Sequence, residues 1–170
     1  MPWRCALSRT ARAEPKTVDW VAALLRWFHE LSAILWLGLQ YYTDFIYARA
    51  RIAASTSGAV AVLDGYIAPR LGPALRVSAT VAWILGCELL STLSIPGHDA
   101  LADAFLLRGI YAPIGIGAWL GTLMLAIALG PMRTNDVDKA LLWARVNTVL
   151  SVPLIFFMAF GYSHQGIVGL

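Results

Sequence analysis

Cysteine is almost missing from this 170-residue chain, and the two present, Cys5 and Cys87, show no metal-ligand spacing. A disulfide framework and a zinc site therefore have no support. Charge is scarce as well: 14% of residues are charged against 59% hydrophobic, with a mean hydropathy of +0.67. That balance exceeds what a soluble domain of this length carries. The formal charge of +3 comes from few residues, and most arginines sit near the ends of apolar runs, where their stems can snorkel towards headgroups. No nucleic-acid partner follows from it. Also missing are a nucleophile, base and oxyanion-hole set, a phosphate loop and a metal cage, which argues against an autonomous enzyme. What is present instead is a series of long apolar runs, the pattern of a polytopic membrane protein whose first partner is the lipid bilayer.

The stretch from Trp20 to Tyr47 is long enough to span roughly 30 Å of hydrocarbon. It nevertheless carries Arg26, His29, Glu30, Gln40 and Asp44. Steps of three or four from Arg26 through Glu30, Ala33, Leu37 and Gln40 to Asp44 stay on one helical face, with His29 beside it. Ionisable groups facing lipid cost on the order of 2.5 to 3.5 kcal/mol each at a helix centre, so this stripe should face protein, a cofactor or water. Arg26 and Glu30, four apart, are also placed to neutralise each other.

Three further spans are expected at about 71–93, 107–129 and 141–162, after a first at about 20–47. Residues 1–17 form a basic N-terminal arm without the apolar core of a secretory signal, so no cleavage is expected; residues 18–170 form a single transmembrane domain. Between spans 1 and 2, Val60, Leu63, Tyr66 and Ile67 recur at helical spacing and suggest a short interfacial helix, with Pro69 and Pro73 bracketing the next span. That second span carries Arg76 and Glu88, three turns apart, each needing a partner elsewhere. His98 falls in a loop beside Asp99. In the third span Gly109, Pro113, Gly117 and Gly121 leave one face almost without side chains, so either another helix or a flat ring packs closely there. Asn135 or Asp136 caps the fourth helix, and Pro153 interrupts it. The fold class is thus all-α integral membrane, a four-helix antiparallel bundle.

Four spans put both termini on one side. With the termini outside, seven basic residues fall inside (Arg49, Arg51, Arg70, Arg76, Arg133, Lys139, Arg145) against six outside (Arg4, Arg9, Arg12, Lys16, Arg26, Arg108), a narrow margin for a periplasmic placement. His29 and His164, on the first and last helices, are candidates for paired axial ligation of haem b. Depth argues against the pair: His29 lies about nine residues, roughly 13 Å, inside its helix, and His164 at the very end of the fourth.

Residues 26–46, RWFHELSAILWLGLQYYTDFI, resemble the small bacterial membrane proteins grouped with the N-terminal membrane domain of urate hydroxylase. IAPRLGPALRVSATVAWILG at 67–86 and ARVNTVLSVPLIFFMAFGYSH at 144–164 are similar to that family in the same order. The resemblance implies a four-helix domain of the bacterial inner membrane, with His29 and His164 at the positions of the family's histidines. Longer relatives add a cytochrome c domain, which implies electron transfer. This chain has no Cys-x-x-Cys-His, carries Asp44 where a neutral residue is usual, has fewer aromatics in its second span, and adds the basic arm.

The expected function is a non-catalytic accessory subunit of a larger respiratory or photosynthetic electron-transfer complex, packing against other membrane subunits. A haem b-binding redox module is the alternative, and a small transporter or quinone-binding enzyme using Arg26, Glu30 and Arg76 is a third.

Overall fold

The computed structural model describes residues 20–94 and 97–164, with side chains described as far as residue 160. The basic arm lies outside the described residues, and so does the side chain of His164. The elements are α1 (Trp20–Tyr41), a π-helical turn (Tyr42–Tyr47), α2 (Ala48–Ser55), α3 (Val60–Ser91), α4 (Ala100–Phe105), a short 3-10 turn (Gly109–Tyr111), α5 (Ala112–Leu129) and α6 (Val137–His164). No strand occurs among the described residues. Four helices are long and apolar enough to cross a membrane: Trp20–Ser55, Val60–Ser91, Gly109–Leu129 and Val137–Phe160. By length and composition the chain is a multi-pass membrane protein.

The first two helical runs are longer than the sequence pattern suggests. The π turn joins α1 to α2 without a break, so the run from Trp20 to Ser55 holds 36 residues, about 54 Å at 1.5 Å per residue. Val60 to Ile67, expected as a separate short helix, are the first two turns of α3, which continues through Pro69 and Pro73. Each proline removes one donor. The long apolar seam outweighs that loss, because Leu71, Leu75, Ala79 and Ala82 are buried in one core with Trp36 and Tyr47. By contrast α5 has 18 residues, about 27 Å. The long helices therefore outreach it.

Contacts fix the registers. Along α1 and α2, His29 meets Ala82 while Tyr47 and Arg51 meet Asp64 on α3. Tyr41 meets Ser151 and Arg51 meets Asp138 on α6. Trp83 Nε1 donates to Thr122 Oγ1 at 2.9 Å, joining α3 to α5. α5 lies against α6 at Gly117, where an added Cβ would sit 3.0 Å from Met158 Cε, and at Gly121, where it would meet Leu154 at 3.7 Å. Side chains of α6 thus fill the smooth face of the third span.

Two short helix starts are capped by carboxylates. Asp99 accepts from the backbone N–H of Leu101 and Ala102, starting α4. Asp136 accepts from those of Asp138 and Lys139, starting α6, so of the two cap candidates it is Asp136 that serves. Outward faces carry exposed Leu24, Phe28 and Leu31 on α1 and Val149, Val152 and Phe156 on α6, surfaces compatible with lipid contact.

Candidate functional site

His29 is held from two sides. Its Nδ1 lies 2.9 Å from the carbonyl oxygen of Ala82, and its ring rests on Gly86, where an added Cβ would come within 2.9 Å of Cε1 and 3.3 Å of Nδ1. Only glycine leaves that space. A carbonyl accepts and cannot donate, so Nδ1 carries the ring proton in the neutral imidazole and Nε2 keeps its lone pair. This is the arrangement that second-shell carbonyls impose on ligating histidines.

The ring lines a cavity of about 370 Å³ between α1, α3, α5 and α6, with Phe105 of α4 closing one side. That volume is in the range of small-molecule sites. Its walls are apolar and aromatic, with Trp36, Trp83 and Phe105 among them, and its ionisable groups are His29, Glu30 and Cys87. The remaining core of the bundle is tight: Leu75, Ala79 and Met124 are fully buried. The cavity is therefore a local opening, bounded below by Trp36 at 4% exposure.

No family model, curated protein or solved structure matches this chain.

The cavity brings together His29, Glu30 and Gly121 from the candidates chosen on sequence. Gly117 lies beside it under Met158. Gln40 and Asp44 lie deeper along the same stripe, against α6: Gln40 is fully buried and donates through Nε2 to the Ala144 carbonyl at 2.5 Å, and Arg145 Nε donates to Asp44 Oδ1 at 3.2 Å. The stripe thus serves two purposes, a cavity wall above and a helix seam below. Arg26 is half-buried and engaged in contacts of its own, and the ion pairs among the described residues do not join it to Glu30. Arg76 is half-buried beside Gly72, and Glu88 is exposed on α3. His98 pairs with Asp103 at 3.0 Å, away from the cavity.

His29 and the end of α6 lie closer in depth than the helix lengths alone suggest. α6 reaches the cavity at Ala159 and ends at His164, five residues or about 7 Å further on. The offset arises because α1 begins well beyond the level at which α6 meets it, with Tyr41 opposite Ser151. For haem b, His29 Nε2 offers one axial position. The two carboxylates of that ring would find no arginine or lysine among the described residues lining the cavity.

Sequence reasoning missed Gly86 and its neighbours. Ala79, Ala82 and Gly86 recur at helical spacing on α3, a small-residue run that would admit a bulky ring from α1. It also missed a cluster at the opposite end, where Arg51 Nε lies 2.9 Å from Asp64 Oδ2, Arg51 Nη1 pairs with Asp138, and Tyr47 OH donates to Asp64 Oδ1 at 2.7 Å.

Proposed function

We propose that this chain is a multi-pass subunit of a membrane electron-transfer assembly and that it holds a flat, apolar ring in the cavity beside His29. The supporting observation is the imidazole itself: fixed by Ala82 and Gly86, with Nε2 left for a ligand, in a pocket whose other walls are almost wholly apolar. A histidine used only for packing would have no need of an adjoining cavity of this size. An antiparallel bundle is part of this reading, and it is supported by the partners on α3 and α6, whose numbers fall as those on α1 and α2 rise. Its placement follows the sequence reading: the bacterial inner membrane, with both termini on the periplasmic side.

His29 would serve a ring in one of two ways, as an axial ligand to a b-type haem iron or as acceptor for a ring hydroxyl. A purely packing role, the accessory reading, draws on one observation: the exposed Glu88 of α3, a carboxylate on an outer face that suits a neighbouring subunit.

The test is purification in mild detergent from its native membrane, followed by a reduced-minus-oxidised visible spectrum and an organic extract of the same sample. A ring compound in near-stoichiometric amount is expected, as b-type bands or as extractable quinone, and it should be lost in Ala118→Phe, which fills the cavity. A colourless protein with intact helicity and an empty extract would overturn the reading and leave the packing role.

A further inference from the structure

Two neighbouring groups on α1 line the cavity with no donor among the described residues, and both offer acceptors. His29 has spent its one N–H on Ala82, so Nε2 can only accept. Glu30 lines the same cavity and is exposed, and no described residue donates to its carboxylate or pairs with it. As a carboxylate, Glu30 too can only accept. With no arginine or lysine among the described lining residues, nothing in the cavity complements an anionic ligand. Of the ionisable groups lining it, Cys87 has only a weak S–H donor, while His29 Nε2 and the Glu30 carboxylate are acceptors waiting for donors.

The cavity also has a way out. Below it α1 and α2 are stitched to α6 through Gln40, Tyr41, Asp44 and Arg51. At the cavity that seam is open, and its edges are exposed: Glu30 on α1, and Ile155 (44% exposed) and Ala159 on α6. On helices of this apolar length the opening looks sideways into the bilayer. A ligand reaching it from that side is itself membrane-borne.

The geometry points to a quinol: a flat ring whose hydroxyls donate to His29 Nε2 and to the Glu30 carboxylate, with its apolar tail leaving between α1 and α6 into lipid. This rests on the ring-binding reading and narrows the ring. Trp36, Trp83 and Phe105 supply the flat apolar walls. At His29 and the Glu30 carboxylate the oxidised quinone would bring acceptors to acceptors and leave both sets of lone pairs unmet, so this edge of the site selects the reduced form. Haem b would bring carboxylates to a cavity with no arginine or lysine among its described lining residues.

The whole chain in lipid nanodiscs would be titrated by calorimetry with a short-tailed benzoquinol, its quinone and its bis-methyl ether. The ether keeps ring and tail but cannot donate. The quinol should bind at least about tenfold tighter than either, since one unmet hydrogen bond is worth on the order of a tenfold change in affinity. Glu30→Leu and His29→Phe should each bring the quinol close to the ether while leaving the ether unchanged, and Ala118→Phe should remove all three. Equal binding of quinol and ether, tighter binding of the quinone, or quinol binding indifferent to Glu30→Leu would overturn the assignment. Should Glu30→Leu fail to fold, the quinol-to-ether ratio in the unaltered chain decides alone. A b-type spectrum lost in His29→Ala would overturn the quinol and leave the ring-binding reading standing; failure of every ring to bind a cofactor-free chain would overturn both.

Discussion

The two ends of this bundle treat polar groups in opposite ways. At the end where α2 turns into α3, Tyr47, Arg51, Asp64 and Asp138 answer one another: one guanidinium bridges two carboxylates from different helices, and a phenol completes one of them. At the other end His29 is held by Ala82 and Gly86 while its Nε2 has no partner among the described residues, and none of these donates to Glu30. Both ends contain ionisable groups on helices apolar enough to enter a bilayer. The difference shows that the first set closes the structure, while the second is left incomplete towards a cavity. A polar group that protein does not satisfy, in a place where water is scarce, marks where something else belongs.

The sharpest way to break this contrast is Arg51→Leu. It strands Asp64 and Asp138 together and should cost about 2 kcal/mol, towards the low side for a broken ion-pair cluster because the Arg51 side chain is 21% exposed. Thermal unfolding in detergent would read it as a marked fall in midpoint, with quinol or haem binding retained in the folded fraction. Gly86→Val should do the reverse. Its extra carbons drive the His29 ring from its place, costing about 1 to 2 kcal/mol of packing strain, while ring binding falls far more steeply than stability in the same titrations.

Gln40→Leu probes the seam between the two ends. Gln40 Oε1 is buried without a partner among the described residues, so removing the amide loses one hydrogen bond but also one unmet acceptor, and stability should stay within about 1 kcal/mol of the parent. The smallest effect belongs to Asp136, outside the apolar spans. The backbone N–H of Lys139, then its ammonium group, hold this carboxyl below its ordinary value of 3.8. A depressed carboxyl stabilises the fold above its unfolded pKa and ceases to do so as pH falls through the lower folded value. Asp136→Ala should therefore fray the first turn of α6 slightly at pH 6, and the difference should shrink as pH falls below 3.8, as amide hydrogen exchange would show.

The four long apolar helices were legible in the sequence because hydropathy and length report directly on them. The capping of α6 was legible for a similar reason: a carboxylate two to three residues ahead of an apolar run is a local signal. The break expected at Pro69 and Pro73 is different. A proline's local cost is visible in the sequence, but the packing of Leu71, Leu75 and Ala79 that outweighs it depends on α1, some forty residues away. The site was half legible. His29 and Glu30 stood out as ionisable residues in an apolar run, whereas Gly86, whose missing side chain seats the imidazole, is one of 14 glycines and becomes meaningful only once α1 and α3 are in register. Gly115 makes the same point: an added Cβ there would run into the backbone carbonyl of Ala104 on α4, a contact that lies off the spaced glycine row read from the sequence.

The π turn at Tyr42–Tyr47 has the arithmetic of a one-residue insertion. A helix absorbs an extra residue by widening one turn, and the strand of chain beyond it is rotated by about 100° against the chain before it. Here that phase step falls between Gln40, which looks to α6, and Tyr47 with Arg51, which look to Asp64. A homologous chain shorter by one residue in this stretch would form a more regular helix and would face its arginine in the wrong direction. The irregularity lets one continuous helix meet both α3 and α6 on either side of it, through His29, Gln40 and Tyr41 before the turn and through Tyr47 and Arg51 after it.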